Sequence, residues 1–299
     1  MQSAQNSRMS DAGEKETLFE HDGFLGPFDL KHIAVLEELR KTNHKGSNGY
    51  NKRPKSGLAR LKTALKNGLA KVLKGRNRAN KMTQHIGHDQ IRSKPEYDLA
   101  TDPQILDEVA DLLGPNILLW KGTVIHREPG STGQNWHIDL INARVKGVHV
   151  SVAITDMTLQ NGCLQVIPGT HKYHADLVAL AKAGECDLNN SDSMKALADR
   201  LHPENAPHKV IAMELKAGQY FFTRGGIWHG VGANTVDQTR SAFVGRYARP
   251  DVEVKNFREE FVPSILVRGK DPYQLNVMKK VPMNWRKTSM IRDKTYRTT

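Results

Sequence analysis

The sequence predicts a mainly β protein with flanking helices, a barrel or sandwich carrying a helical layer. Three observations lead there. Beyond residue 115, short stretches rich in β-branched and aromatic residues follow one another; glycine-rich corners separate them; and helical periodicity sits ahead of them in the chain.

Taken in order, residues 1–16 (MQSAQNSRMSDAGEKE) are polar, without the apolar stretch of a secretory signal, and are expected to be disordered. From 17 to 42, Phe19, Phe24, Leu25, Phe28, Leu30, Ile33, Leu36 and Leu39 supply apolar anchors, the last two spaced for a helix face. Residues 43–56 read as a loop of Gly, Asn, Ser and Pro. A basic amphipathic helix is expected next, with Leu58, Leu61, Leu65, Leu69, Val72 and Leu73 along one face and Arg60, Lys62, Lys66, Lys71 and Lys74 mostly elsewhere. A second helix, from about Asp102 to Leu113, opens on an Asp-Pro cap pattern and stops at Gly114-Pro115. Strands are expected at 116–125, 147–155, 209–216, 219–224 and 241–247, with a polar, partly helical excursion between Lys172 and Pro207. The main domain is placed at 17–250, with a basic insert over about 43–88 and a C-terminal extension at 251–299 that ends Lys/Arg-rich.

Composition narrows the function classes. No run of eighteen apolar residues exists to span a membrane. Two cysteines, Cys163 and Cys186, exclude a disulfide scaffold and make a reducing cytoplasm the expected setting, with Cys163 a small core residue. The net charge of +12 is concentrated: fourteen Lys or Arg and no Asp or Glu lie between Arg40 and His88, and the remainder of the chain sums to about −2. The basic character therefore belongs to the insert and not to the whole surface.

The chemistry gathers around NWHID. His137 and Asp139 are one residue apart, a spacing that on a strand points both side chains to one face. His229, in GGIWHG after another strand, supplies a third ligand, and Gly225 and Gly226 serve a tight turn before it. Two histidines and a carboxylate on one face of a ferrous ion leave the opposite positions open, the arrangement of non-haem iron oxygenases. A dicarboxylate cosubstrate needs a cation for its far end, and Arg240, eleven residues after His229, can grip a carboxylate through paired hydrogen bonds. HxD alone is a weak signal; the downstream His and Arg strengthen it. Each residue also has a plainer reading: a surface pair for His137 and Asp139, a core histidine for His229, a surface cation for Arg240. Arg246 is either a partner of the site residues or a structural ion pair. Strand parity from Asp139 brings His149 and Asn142 towards the pocket, against ordinary polar core roles. Trp136 and Trp228 are expected to pack around the site, and His126, His171, His174, His202 and His208 to lie in loops or on the surface.

FEHDGFLGPFDL, LLGPNILLW, REPGSTGQNWHID, NGCLQVIPGTHK, LKAGQYFFTRGGIWHG and TRSAFVGRYARP run in order from about 19 to 250. Through them the chain resembles the phytanoyl-CoA dioxygenase family of Fe(II)/2-oxoglutarate-dependent oxygenases. The resemblance implies a double-stranded β-helix (jelly-roll, cupin-like) core. It implies His137, Asp139 and His229 as iron ligands, Arg240 as the anchor of the 2-oxoglutarate C5 carboxylate, and dioxygen as oxidant. Several stretches look closest to the chlorinating branch of that family, in which Gly or Ala replaces the carboxylate ligand and admits chloride. The Asp139 carboxylate departs from that pattern and points to a hydroxylase-type enzyme instead of a halogenase.

The substrate implied is a small metabolite or a group tethered to a carrier protein, CoA or a nucleotide. The basic insert favours an anionic substrate or an acidic carrier over a cationic one. The competing reading, a non-catalytic protein that uses the insert to bind nucleic acid or anionic lipid, has no need of His137, Asp139, His229 and Arg240 together.

Overall fold

The computed structural model describes residues 12–41, 91–204 and 206–285. The insert and its basic amphipathic helix lie outside the described residues, as do positions 286–299.

Helix α1 (Ala12–Asp22) leads into strand β1 (Phe24–Asp29) and α2 (Ala34–Lys41); after the insert come α3 (Lys94–Ala100) and α4 (Pro103–Leu113). The remaining order is β2 (Ile117–Arg127), β3 (Gln134–His137), α5 (Leu140–Arg144), β4 (Val148–Ala153), β5 (Leu164–Ile167), α6 (Leu177–Lys182), α7 (Ser191–Leu201), β6 (Ile211–Met213), β7 (Gln219–Arg224), β8 (Trp228–Val231), β9 (Arg240–Ala248) and β10 (Ile265–Arg268). The strands form two sheets, six-stranded in the order β1-β7-β4-β9-β2-β10 and four-stranded in the order β3-β8-β5-β6. Every strand pair is antiparallel.

Local sequence explains the helix ends. Ser93 and Glu96 form a reciprocal capping box at the start of α3, with Glu96 Oε2 accepting from the Ser93 N–H at 3.0 Å. Asp102 caps α4 by accepting from the Gln104 N–H at 2.9 Å, Pro103 fills the first helical position, and Gly114 ends the helix, as the cap pattern predicts.

The larger sheet alternates. One face presents Val148, Val150, Val152, Tyr220, Phe222, Phe243 and Tyr247 to the helices, where they meet Leu36, Leu39, Leu99, Ile105 and Val109. The Tyr247 hydroxyl donates to the Ala100 carbonyl at 2.8 Å and ties sheet to helix. The other face looks towards the smaller sheet. There Ala153, Phe221 and Ala242 pack with the buried Cys163, Val166, Met213 and Leu215.

The structure departs from expectation in four places. Helix α1 begins at Ala12, so the order starts before residue 17. The apolar anchors Phe24, Leu25 and Phe28 lie on a strand whose Gly26-Pro27 pair hid it from a propensity reading. The strand expected over 209–216 shortens to Ile211–Met213, with Leu215 forming an isolated bridge to Met157. The expected extension beyond 250 continues the fold, because β10 pairs with β2 at the edge of the larger sheet.

Candidate metal centre

His137 and His229 face one another across the β3–β8 ladder as direct register partners, with ring centroids 4.1 Å apart. His229 follows β7, as expected, and itself lies within β8, which is flanked on its other side by β5, where Val166 is its partner. Gly226 takes a φ of +95°, which lets the chain turn sharply into β8 as expected.

Asp139 arrives by a route other than strand parity. Strand β3 stops at His137, and Asp139 is the N-cap of α5, with φ −78° and ψ 83° and no side-chain capping bond. A carboxylate left free of that duty turns towards the imidazoles: Asp139 Oδ2 lies 4.0 Å from His229 Nε2. One ligand-type atom from each of His137, Asp139 and His229 falls within 4.8 Å of the others.

Both imidazoles are presented in one tautomer. His137 Nδ1 is 2.7 Å from the Asn135 carbonyl and His229 Nδ1 is 2.9 Å from that of Ile227. A carbonyl only accepts, so Nδ1 carries the proton and the Nε2 lone pair points into the site. Burial, helped by His137, pushes the His229 pKa down to about 4, which keeps that lone pair unprotonated near neutrality.

Behind Asp139 stands a cation. Burial works to raise its carboxyl pKa, but the Arg246 guanidinium, followed by His149, His229 and His137, outweighs it and holds the group well below its ordinary range. Arg246 Nη2 donates to Asp139 Oδ2 at 2.8 Å and its Nε donates to His149 Nε2 at 2.9 Å. His149 must therefore be neutral at Nε2, in keeping with a pKa driven well down by burial and by Arg246. The guanidinium also lies 5.7 Å from the Trp120 ring centroid. Arg246 is thus ion-paired with Asp139, one of the candidate ligands, so both sequence readings of it meet in one contact.

Arg240 begins β9, six residues before Arg246 and on the same face by strand alternation. Its residue is 5% exposed, one Nη2 donates to the Gly162 carbonyl, and its Nε has no hydrogen-bond partner. Burial, with Arg127 close by, lowers its pKa to about 9, so it remains charged at neutral pH with no ion-paired carboxylate among the described residues. A buried cation lacking a counter-ion is costly, and a ligand carboxylate would relieve that cost.

Other expectations sort themselves by position. Trp136 and Trp228 are buried beneath the smaller sheet with Leu197 of α7, and Trp136 Nε1 donates to Ser191 Oγ. His126, expected at the surface, is buried, with Nδ1 2.7 Å from Ser241 Oγ. Gln134 escaped the sequence reading altogether. Its amide nitrogen lies 3.0 Å from His137 Nε2, and no motif signals it.

The phytanoyl-CoA dioxygenase (PhyH) family model matches residues 19–242. The chain belongs to this family. Among its curated relatives, the dioxygenase lolE1 of Epichloe uncinata is 23% identical over 177 residues, 57% of this chain and 62% of that protein. The ectoine dioxygenase of Sphingopyxis alaskensis is 26% identical over 199 residues, covering 60% and 62%. The chain thus spans less than two thirds of the length of these relatives. Two solved structures share the fold. One is the non-haem α-ketoglutarate-dependent epimerase SnoN from nogalamycin biosynthesis (TM-score 0.56, 17% identity, 92% of this chain and 98% of that one). The other is CytC3 with Fe(II) and α-ketoglutarate (TM-score 0.55, 20% identity, 89% and 92%). The two facing sheets of this PhyH chain are accordingly the double-stranded β-helix.

Proposed function

We propose that this PhyH-family chain is an Fe(II)- and 2-oxoglutarate-dependent oxygenase of the hydroxylase type, acting on an unactivated C–H bond. The observation that carries the reading is the donor set: two Nε2 lone pairs and one carboxylate converge within 4.8 Å, with both histidine tautomers set by backbone carbonyls. The partnerless Nε of buried Arg240 supports the dicarboxylate half.

On this reading His137, Asp139 and His229 hold the iron, and Arg240 takes the distal carboxylate of 2-oxoglutarate. Iron held there would supply, with dioxygen, the oxidative decarboxylation of 2-oxoglutarate to succinate and carbon dioxide, with one oxygen atom available to the substrate. The protein's own work is orientation and exclusion of water. Arg246 engages Asp139 Oδ2, which steadies the carboxylate and leaves Oδ1 free. The Nδ1 bonds to Asn135 and Ile227 fix both rings before any metal arrives. Halogenation is the weaker reading, because Asp139 stands where a halide ligand would need room. A purely binding role leaves buried Arg240 unexplained. The substrate is placed as a small metabolite or a carrier-, CoA- or nucleotide-linked group, with an anionic character favoured by the basic insert.

The test is anaerobic loading with Fe(II) and 2-oxoglutarate, then exposure to oxygen with free and carrier-bound amino acids, acyl-CoAs and nucleotides, while succinate is measured. Substrate-stimulated succinate release is expected, and its loss in His137→Ala and His229→Ala. Full turnover in either variant refutes the assignment, and halogenated product with Asp139 intact refutes the hydroxylase reading.

A further inference from the structure

A second cavity, of about 900 Å³, is the size of a small-ligand site, and none of His137, Asp139, His229, Arg240 or Arg246 lines it. Its walls are α1, the start of β1, the turn after β5 and the segment between α7 and β6.

Unpaired backbone faces this space. Strand β1 lies at the edge of the larger sheet and pairs with β7 alone. The Arg224 N–H donates to the Gly23 carbonyl at 2.8 Å, so Gly23 turns that carbonyl towards β7. The Asp22 carbonyl points the other way and accepts from the Gly169 N–H at 2.9 Å. Alternation along the strand sends the N–H and C=O of Phe24 the same way as Asp22, out from the sheet edge. Among the described residues no backbone group meets them there, and Phe24 lines the cavity. An edge left open in this manner is where an extended chain can add a strand.

The side chains around it offer what such a chain needs. Asp199 Oδ1 lies 3.2 Å from His208 Nδ1, and a carboxylate only accepts, so that nitrogen carries the proton. His208 Nε2 is then the acceptor for the Tyr173 hydroxyl, 2.9 Å away, and the phenol oxygen keeps its lone pairs for a donor. His202 Nδ1 accepts from the Glu204 and Ala206 N–H groups, which leaves its Nε2–H as a donor. Lys172 and Lys209 are exposed on the same lining, and Leu18, Pro168, Pro207 and Ile211 supply apolar wall. The wall is fixed in advance: Thr170 Oγ1 accepts from the Trp228 N–H at 3.0 Å, and the Tyr173 ring meets Trp228 edge-on with centroids 5.8 Å apart.

We propose that this cavity is a peptide-binding site, taking a short, extended, apolar segment that ends in a free carboxylate. Phe24 pairs with its backbone, Tyr173 and His202 take a donor and an acceptor, and Lys172 and Lys209 face the terminal charge. A nucleotide or another polyanion fits poorly, because Glu14, Asp22 and Glu204 also line the space.

The experiment uses the isotopically labelled full chain and a pool of acetylated tetrapeptides built from Ala, Val, Leu and Phe, each with a free C-terminus. Hydrogen exchange at the Phe24 amide, followed by NMR, reads strand addition directly, and titration gives the affinity. The pool should slow exchange at Phe24 at least about tenfold. The same pool with amidated C-termini should bind about tenfold more weakly, and so should the free acids to a Lys172→Glu, Lys209→Glu double variant. Both lysines are exposed and outside the metal centre, so Ni(II) affinity of the double variant should equal that of the wild type and confirms its fold. Unchanged exchange at Phe24 with every peptide overturns the proposal, as does equal binding of acids and amides. Decanoate, an apolar acid without amides, is the control: if it displaces the peptides at equal concentration, the cavity recognises acids and not peptides, and the proposal falls.

Discussion

Replacing Arg246 by Met removes the cation that offsets the burial of Asp139 while keeping most of the side chain's volume. The guanidinium makes two hydrogen bonds, 2.8 Å to Asp139 Oδ2 and 2.9 Å to His149 Nε2. Breaking a buried pair by deleting one partner costs about 3–5 kcal/mol. The Asp139 side chain keeps 26% of its exposure, which argues for the lower end, about 3 kcal/mol. For a domain of this size that corresponds to a fall in Tm of about 6–12 °C. The pH dependence has a definite sign. In the wild type the Asp139 carboxyl is held below its unfolded value, so its contribution is present near neutrality and is lost as acid protonates it. Without Arg246 the burial effect is unopposed and the carboxyl rises, so the metal-free variant should be least stable near neutrality and recover relative to wild type as the pH falls towards the carboxylate range. A divalent ion supplies the missing positive charge, so Ni(II) should raise the Tm of the variant more than that of the wild type. Differential scanning calorimetry with chelator and with Ni(II), at several pH values, measures all three effects. A metal-free Arg246→Met protein that melts within 2 °C of wild type, or one whose deficit is identical with nickel bound, refutes the account of Arg246 as the counter-charge of Asp139.

Arg240→Met should show opposite signs in two assays. Metal-free stability should rise by about 1–3 kcal/mol as a buried cation without a counter-ion is removed, while calorimetric 2-oxoglutarate affinity should fall at least about 100-fold. Acid should destabilise the metal-free protein early: His229, lowered to about 4 chiefly by burial, resists protonation only when folded, so stability present above the unfolded value of about 6.5 is lost progressively as the pH falls towards 4, by about 3 kcal/mol for the fully expressed shift, with a smaller contribution in the same direction from the partly exposed His171. Chemical denaturation from pH 7 to 4 reads this directly, and a flat profile refutes it. Gly133→Ala should cost about 2 kcal/mol or more and weaken Ni(II) binding, because the new Cβ meets the Val231 carbonyl and must part β3 from β8; an unaffected nickel affinity refutes the tight approach.

The legible part of this molecule is what depends on short-range pattern. The Asp102–Gly114 helix signals, the β-branched run of β4 and the QYFFTR of β7 show in the sequence because capping chemistry and strand propensity are local. His137, Asp139 and His229 were found as a set, yet the reason given for the first two was only half right. Parity assumed a strand through Asp139, whereas the chain turns into α5 immediately after His137. Gln134 was invisible because a bulge depends on the partner strand, and no window on β3 alone reveals how β8 counts. The place of His126 is hidden for a related reason: its hydrogen-bond partner, Ser241, is 115 residues away and becomes a neighbour only when β2 and β9 pair. Strand β10 was overlooked because four residues at the edge of a sheet carry little signal until their partner β2 is in place.

The basic insert joins α2 to the segment leading into α3, and the side chains that anchor both helices, Leu36, Leu39 and Leu99, share one apolar cluster on the outer flank of the larger sheet. Among the described residues, every strand pairing lies outside that passage. A change in the length or charge of that passage therefore leaves the residues of the described strands unaltered in sequence. A bench deletion that joins the two helices would leave the chain close to neutral and keep His137, Asp139, His229 and Arg240.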